Sequence, residues 1–351
     1  MAIGKVFTQV DEVIDVKTFS IASAVLLSGI VLTFIVSGLT GTAPVSGIEK
    51  TLIIPAHNTV AVDSGDLNQL DITSPPPKQI ETKAKTIEIE DAIAGLHTET
   101  PYGLVPVIRK EDGLTPFKAY APPFAANASA KALVSFVMTD FGLSEKTSES
   151  AIKNLPAGVT MVLDSYARGA QEWASKARTH GHEVWLSLPL QSIDYPAVDT
   201  GPKTVHSSLS DNEANIRMLQ SLGIATGYSG VIVNNSLGFS QSQPLLQKIL
   251  ADIAGRGLGI VQSDKTDNNL SKMAAQTKAP YGVADVNIDL IDGEKSLSAK
   301  LIEIEAMAVD RKKLIVFFSP YPATVKALQD WSTKAAGRGI QFAPLSAIVS
   351  K

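Results

Sequence analysis

From Lys131 to the C-terminus the chain alternates short apolar runs with amphipathic segments, and this alternation restricts the fold more than any other feature. The apolar runs fall at 133–140, 159–164, 183–189, 229–234, 257–262, 283–289, 313–319 and 340–345. Between them, 144–154, 167–180, 210–223, 241–255, 268–279, 295–311 and 322–337 place apolar residues at helical spacing. Strands separated by helices predict parallel pairing through crossover connections. Seven or eight such units fit a (β/α) barrel better than an open sheet of five or six strands. In either architecture the chemistry belongs at the C-terminal ends of the strands.

The first of these strands, in LVSFVMTDFGLS (133–144), carries an acid at its end. The run stops at Thr139-Asp140, a Phe-Gly turn follows, and Ser144 signals a helix start. The other predicted strand ends supply Asp164, Ser165 and Tyr166; Ser187, Gln191, Asp194 and Tyr195; Asn234, Asn235 and Ser236; Ser263 and Asp264; Asp289 and Asp292; Ser319 and Tyr321. Carboxylates, amides and hydroxyls beside aromatics suit hydrogen bonding to sugar hydroxyls, and Asp194, Tyr195, Asn234, Asn235 and Asp264 are the candidate saccharide contacts. A zinc hydrolase needs two or three imidazoles in such a ring, and this one contains none. His180 and His182 precede the third strand, on the face associated with stability. His57 and His97 lie in the N-terminal part, and His206 follows the third strand alone. No G-x-S-x-G elbow, Walker loop or dinucleotide fingerprint is present. Cysteine is absent, which excludes disulfides, thiolate ligands, a thiol nucleophile and a lipidated Cys. A net charge of −4 gives no basic surface for nucleic acid.

The N-terminal part is organised differently. Residues 1–17 form a short polar tail, and Thr18–Thr40 contains no charged side chain. At about 1.5 Å per residue that stretch spans the roughly 30 Å hydrocarbon core of a bilayer. It is longer than the apolar core of a cleavable signal peptide, so 18–40 is expected to be an uncleaved transmembrane anchor, with cleavage near Thr42-Ala43 as the alternative. Residues 41–97 read as a linker punctuated by Pro75-Pro76-Pro77. Residues 98–130 carry too many large apolar side chains for a free linker and are expected to form an ordered arm lying on the domain of 131–351.

Five segments in order carry a family likeness: LVPVIRKEDGLTPFKAYAPPF (104–124), VMTDFGLSEKTSESAIKNLPAGVTMVLDSYA (137–167), ARTHGHEVWLSLPLQSIDYPAVDTGPKTV (177–205), GYSGVIVNNSLGF (227–239) and GRGIQFAPLSAIV (337–349). On these the chain resembles the divergent polysaccharide deacetylases, membrane-anchored or secreted bacterial proteins of the NodB-like glycoside hydrolase/deacetylase superfamily. The resemblance implies a deformed (β/α)7–8 barrel that acts on or binds an N-acetylated glycan. In deacetylating relatives the first strand ends in two aspartates, a general base followed by a metal ligand, and two later histidines complete the metal site. Here those positions are Thr139, Asp140, Ser187 and Ser236, so only Asp140 survives.

One carboxylate does not hold a first-row metal against water. The expectation is therefore a carbohydrate-related envelope protein with a degenerate catalytic site. It would have no cofactor, with envelope glycan or peptidoglycan as ligand and an envelope protein as a further possible partner. It would sit as a single-pass protein in the bacterial inner membrane with the C-terminal domain in the periplasm. The alternatives are an active metal-dependent deacetylase with a rearranged site, in which Asp140, Asp264 and Asp289 hold Mg²⁺ or Ca²⁺, and a non-catalytic scaffold of an envelope complex.

Overall fold

Side chains along each central strand alternate between two cores, and that alternation accounts for the architecture. The structure, a computed structural model, describes residues 91–233, 243–263, 265, 268–291 and 296–349. The uncharged run 18–40 and the linker up to residue 90 lie outside the described residues. Among the described residues no helix is long and apolar enough to cross a membrane.

The strands are β1 (His97–Thr100), β2 (Gly103–Pro106), β3 (Ala132–Phe141), β4 (Thr160–Leu163), β5 (Val184–Leu188), β6 (Gly230–Val233), β7 (Gly259–Gln262), β8 (Tyr281–Val283), β9 (Val286–Asn287), β10 (Lys313–Phe318) and β11 (Ile340–Phe342). The helices are α1 (Pro116–Ala119), α2 (Glu145–Asn154), α3 (Ala170–Thr179), α4 (Asp211–Leu222), α5 (Gln243–Gly255), α6 (Asn268–Gln276), α7 (Leu297–Arg311), α8 (Pro322–Ala335) and α9 (Leu345–Ile348). β1 and β2 form an antiparallel hairpin. The main sheet runs β8-β7-β6-β5-β4-β3-β10-β9, with β11 also paired to β3. Every pairing in it is parallel.

This is an α/β fold with a curled parallel sheet in half-barrel form. The curl is tight enough that β8 and β9, the two ends of the path, are neighbouring pieces of one short stretch. Within it the Ala284 amide donates to the Gln262 carbonyl of β7 and the Asp285 amide to the Ile315 carbonyl of β10, each at 2.8 Å. The apolar run predicted as one strand over 283–289 thus divides its hydrogen bonds between two partners.

Ala132, Val134, Phe136 and Met138 of β3 pack in the core shared with the helices, against residues such as Ile152 and Leu155. Val137 belongs to the second core, enclosed by the curl, with Val162, Trp185, Ile232, Val261, Ile315 and Phe317. The run predicted as a strand over 340–345 is only half strand. After Phe342 it becomes α9, whose Leu345 and Ile348 fill the inner core. The arm reaches the same core, where the Phe117 ring meets the Trp185 indole edge-on at 6.3 Å. Trp185 fits because the facing strands carry glycine. A Cβ on Gly230 would stand 2.4 Å from its ring, and one on Gly259 2.6 Å away.

The helices start where the sequence signals them. Ser144 caps α2, and Ser210 and Glu213 form a reciprocal capping box on α4.

Candidate functional site

The loops leaving the C-terminal strand ends enclose a cavity of about 470 Å³. Its wall is formed by Thr139, Asp140 and Leu143 after β3; Asp164 and Tyr166 after β4; Ser187, Pro189 and Thr200 of β5 and its loop; Ser263 after β7; and Asn287 and Leu290. Val162, Ile232 and Phe317, inner-core residues of their strands, supply its apolar part.

Thr139 and Asp140 are adjacent, and in a regular strand they would point to opposite faces. Two features place both on the cavity. The β3–β4 register shifts between Met138 and Phe141, and Asp140 takes the left-handed conformation, φ 57°. A bulge of this kind re-aims side chains at a strand end, at a conformational cost of order 1 kcal/mol for a non-glycine residue. Gly142 continues the turn at φ 90°, where a Cβ would stand 2.6 Å from that of Ala167. Its amide donates to Ser148 Oγ of α2 at 2.9 Å.

The hydroxyl of Thr139 donates to Asp140 Oδ2 at 2.9 Å. Asp164 carries the second carboxylate of the cavity. Burial pushes it above its ordinary value, and the Asp140 charge adds to that shift, while the Tyr166 amide (2.8 Å) and the Lys203 ammonium draw it down. Lys203 is itself lowered by burial. Its ammonium donates to the Ser165 carbonyl at 2.6 Å and lies 5.4 Å from the Tyr166 ring. Tyr166 is held by the Lys203 amide, which donates to its hydroxyl at 2.8 Å. The cavity thus presents two carboxylates, several hydroxyls and an amide, a set that donates to and accepts from polyols.

Of the strand-end residues read from the sequence, Thr139, Asp140, Asp164, Tyr166, Ser187 and Ser263 line this cavity, Asp140 alone among those singled out as catalytic or saccharide contacts. Asp194 and Tyr195 stand on the β5–α4 loop away from the lining side chains, and the Tyr195 ring stacks on His206 at 5.2 Å and 19°. Asn234, Asn235, Ser236 and Asp264 lie outside the described residues. Asp289 accepts the Ser319 amide at 2.8 Å and thereby ties two strand-end loops together. His182 is buried at the opposite, N-terminal end of the strands, its Nδ1 2.9 Å from the Val159 carbonyl. Thr200 and Asn287 join the cavity without having been singled out. Thr200 lies twelve residues beyond the end of its strand, and Asn287 falls inside a run read as continuous strand.

The donor set beside Asp140 does not suit the divalent metal that the fold family implies. Thr139 and Ser187 bring hydroxyls, and the Thr139 hydroxyl already occupies one Asp140 oxygen. Among the described residues no three His, Asp or Glu side chains converge to hold a metal ion.

The sequence model of the divergent polysaccharide deacetylases matches residues 136–349. The uncharacterized protein YibQ of Escherichia coli K12 is 25% identical over 222 residues, covering 61% of this chain and 68% of its own length. A solved structure, that of the uncharacterized protein ATU2773 from Agrobacterium tumefaciens C58, is 32% identical. It superposes with a TM-score of 0.64 over 70% of this chain and all of that one.

Proposed function

Since the chain belongs to the divergent polysaccharide deacetylases, we propose that its domain binds an N-acetylated envelope glycan, such as a peptidoglycan strand, without hydrolysing it. The observation that carries this reading is the pairing of Asp140 with Thr139 and Ser187 on one cavity wall. Asp140 would be a remnant of catalysis, retained as a hydrogen-bond acceptor. Position 139, where the resemblance puts the general base, carries a hydroxyl, and no imidazole lines the cavity among the described residues, so the residues that would deprotonate water or hold a metal to acidify it are replaced. The acetamide carbonyl likewise gains no Lewis acid. What remains is recognition. Asp140 and Asp164 accept sugar hydroxyls, Tyr166, Ser187, Thr200 and Asn287 add donors and acceptors, and Val162, Ile232 and Phe317 meet the apolar face of a pyranose.

The uncharged run 18–40 supports placing this domain on the periplasmic side of the bacterial inner membrane, tethered through the linker. The test pairs two measurements on the full chain, calorimetric binding of chito-oligosaccharides and peptidoglycan fragments, and release of acetate from the same ligands. Binding without release is expected, with binding lost in Asp140→Ala. Acetate release that disappears in Asp140→Ala would establish a working deacetylase instead. Absence of binding to every glycan would leave the scaffold role.

A further inference from the structure

The cavity at the C-terminal strand ends carries charge of one sign. Among the described residues its charged lining side chains are Asp140 and Asp164, at the ends of the neighbouring strands β3 and β4. Each keeps one carboxylate oxygen without a donor among those residues. The Thr139 hydroxyl donates to Asp140 Oδ2 and leaves Oδ1 open, and the Tyr166 amide donates to Asp164 Oδ1 and leaves Oδ2 open. The two charges are near enough to oppose each other, since the Asp140 carboxylate adds to the upward push that burial exerts on Asp164. Lys203 is the cation whose charge reaches Asp164. It stands outside the cavity wall, donates to the Ser165 carbonyl and forms no ion pair with either acid. The site therefore offers acceptors and negative charge, and no cation of its own lines it.

We propose that this cavity takes, within the glycan, an amino sugar whose amine is free and protonated, in preference to the N-acetylated form of the same sugar. The proposal rests on the glycan-binding reading and names the sugar that Asp140 and Asp164 select. An ionised carboxylate only accepts hydrogen bonds, and an ammonium brings three donors where an acetamide brings one. The acetamide also carries a carbonyl oxygen, one more acceptor in a site whose charged groups are all acceptors. An ammonium facing both carboxylates forms charge-assisted hydrogen bonds with their open oxygens and offsets the repulsion between them. The hydroxyls of Ser187, Thr200 and Tyr166 and the amide of Asn287 meet the ring hydroxyls. A small free cation leaves those groups to water, whereas an amine carried on a sugar satisfies both sets.

The experiment compares chitotriose, the trimer of glucosamine, with triacetylchitotriose by calorimetry on the full chain in a neutral detergent, at about pH 6, where such an amine is protonated. Chitotriose is expected to bind about tenfold more tightly or better. Asp164→Asn keeps an oxygen for the Tyr166 amide and removes one charge, and is expected to reduce that preference about threefold or more. Glu172→Gln, at an exposed acid outside the cavity wall, is expected to leave the preference as it is. Equal affinities, or tighter binding of the acetylated trimer, would overturn the free amine while leaving glycan binding intact. A preference that survives Asp164→Asn, or that Glu172→Gln reduces as much, would trace to the chain's overall charge of −4 and would overturn the proposal as well. Ethanolamine competing as strongly as chitotriose at equal concentration would show that the amine is read without its sugar, with the same consequence. Failure of both trimers to bind would refute glycan binding itself.

Discussion

Glu183 is the most deeply buried acid among the described residues, 1% exposed at the mouth of β5, and its removal tests how the inner core is closed. Its Oε2 accepts the Ser346 amide at 3.0 Å and the Thr160 hydroxyl at 3.4 Å. The Thr160 hydroxyl oxygen in turn accepts the Leu345 amide at 3.0 Å. One carboxyl thus ties β4 and the start of β5 to the first turn of α9, the helix that fills the inner core. Glu183→Ala leaves the half-buried Ser346 amide without its acceptor, which costs about 1–3 kcal/mol, and opens a cavity besides. About 3–5 kcal/mol in total is expected. Glu183→Gln keeps a carbonyl oxygen for Ser346 and removes the charge. Burial pushes the Glu183 carboxyl above its ordinary value of 4.5, while the Ser346 amide and hydroxyl, the Ser229 hydroxyl and the Trp185 indole pull it back. An acid raised in the folded state stabilises fully below its unfolded value, and that contribution is lost as pH climbs from 4.5 through the folded value. At neutral pH the Gln variant is therefore expected to match or exceed the parent within about 1 kcal/mol. The parent should lose stability relative to it as pH rises above 4.5. Urea unfolding of the full chain at a series of pH values, followed by fluorescence of Trp173, Trp185 and Trp331, measures both effects. A Gln variant weaker by more than about 2 kcal/mol at neutral pH would show that the carboxylate is needed in its charged form, and parallel pH curves for the two proteins would refute the upward shift.

Three further outcomes follow from the geometry. Gly230→Ala places a Cβ 2.4 Å from the Trp185 ring and 2.5 Å from the Gly259 carbonyl, and should cost about 2–4 kcal/mol in the same unfolding assay. Asp140→Gly relieves the left-handed backbone and should raise stability by up to about 1 kcal/mol, while glycan binding measured by calorimetry falls away. Thr139→Asp combined with Ser187→His and Ser236→His rebuilds the donor set that the family resemblance assigns to these positions. Zinc should then raise the unfolding temperature of the triple variant, and a Tm that zinc leaves unchanged would refute the assignment.

Much of the fold was legible in the sequence because it is written in local periodicity. The alternation of apolar runs with helical segments reports which side chains must leave water, and it yielded the parallel α/β plan and most element positions to within a few residues. The cap at Ser144 was legible for the same reason, since a cap acts on its own helix. The family likeness, strongest in GHEVWLSLP…DYP…DTGP, also implies that Thr139 and Ser187 stand where relatives carry an acid and an imidazole.

Tertiary structure alone decided the rest. That Thr139 and Asp140 share one wall depends on a register shift against β4, which is a relation between strands. The division of 281–287 between β7 and β10 depends on how far the sheet curls. The cavity joins Asp140 to Asn287, residues distant in sequence, because β3 and β9 both flank β10. Hydrophobic periodicity records burial one residue at a time, whereas a binding site depends on which buried strands lie side by side, and that is settled only when the whole sheet closes on its core.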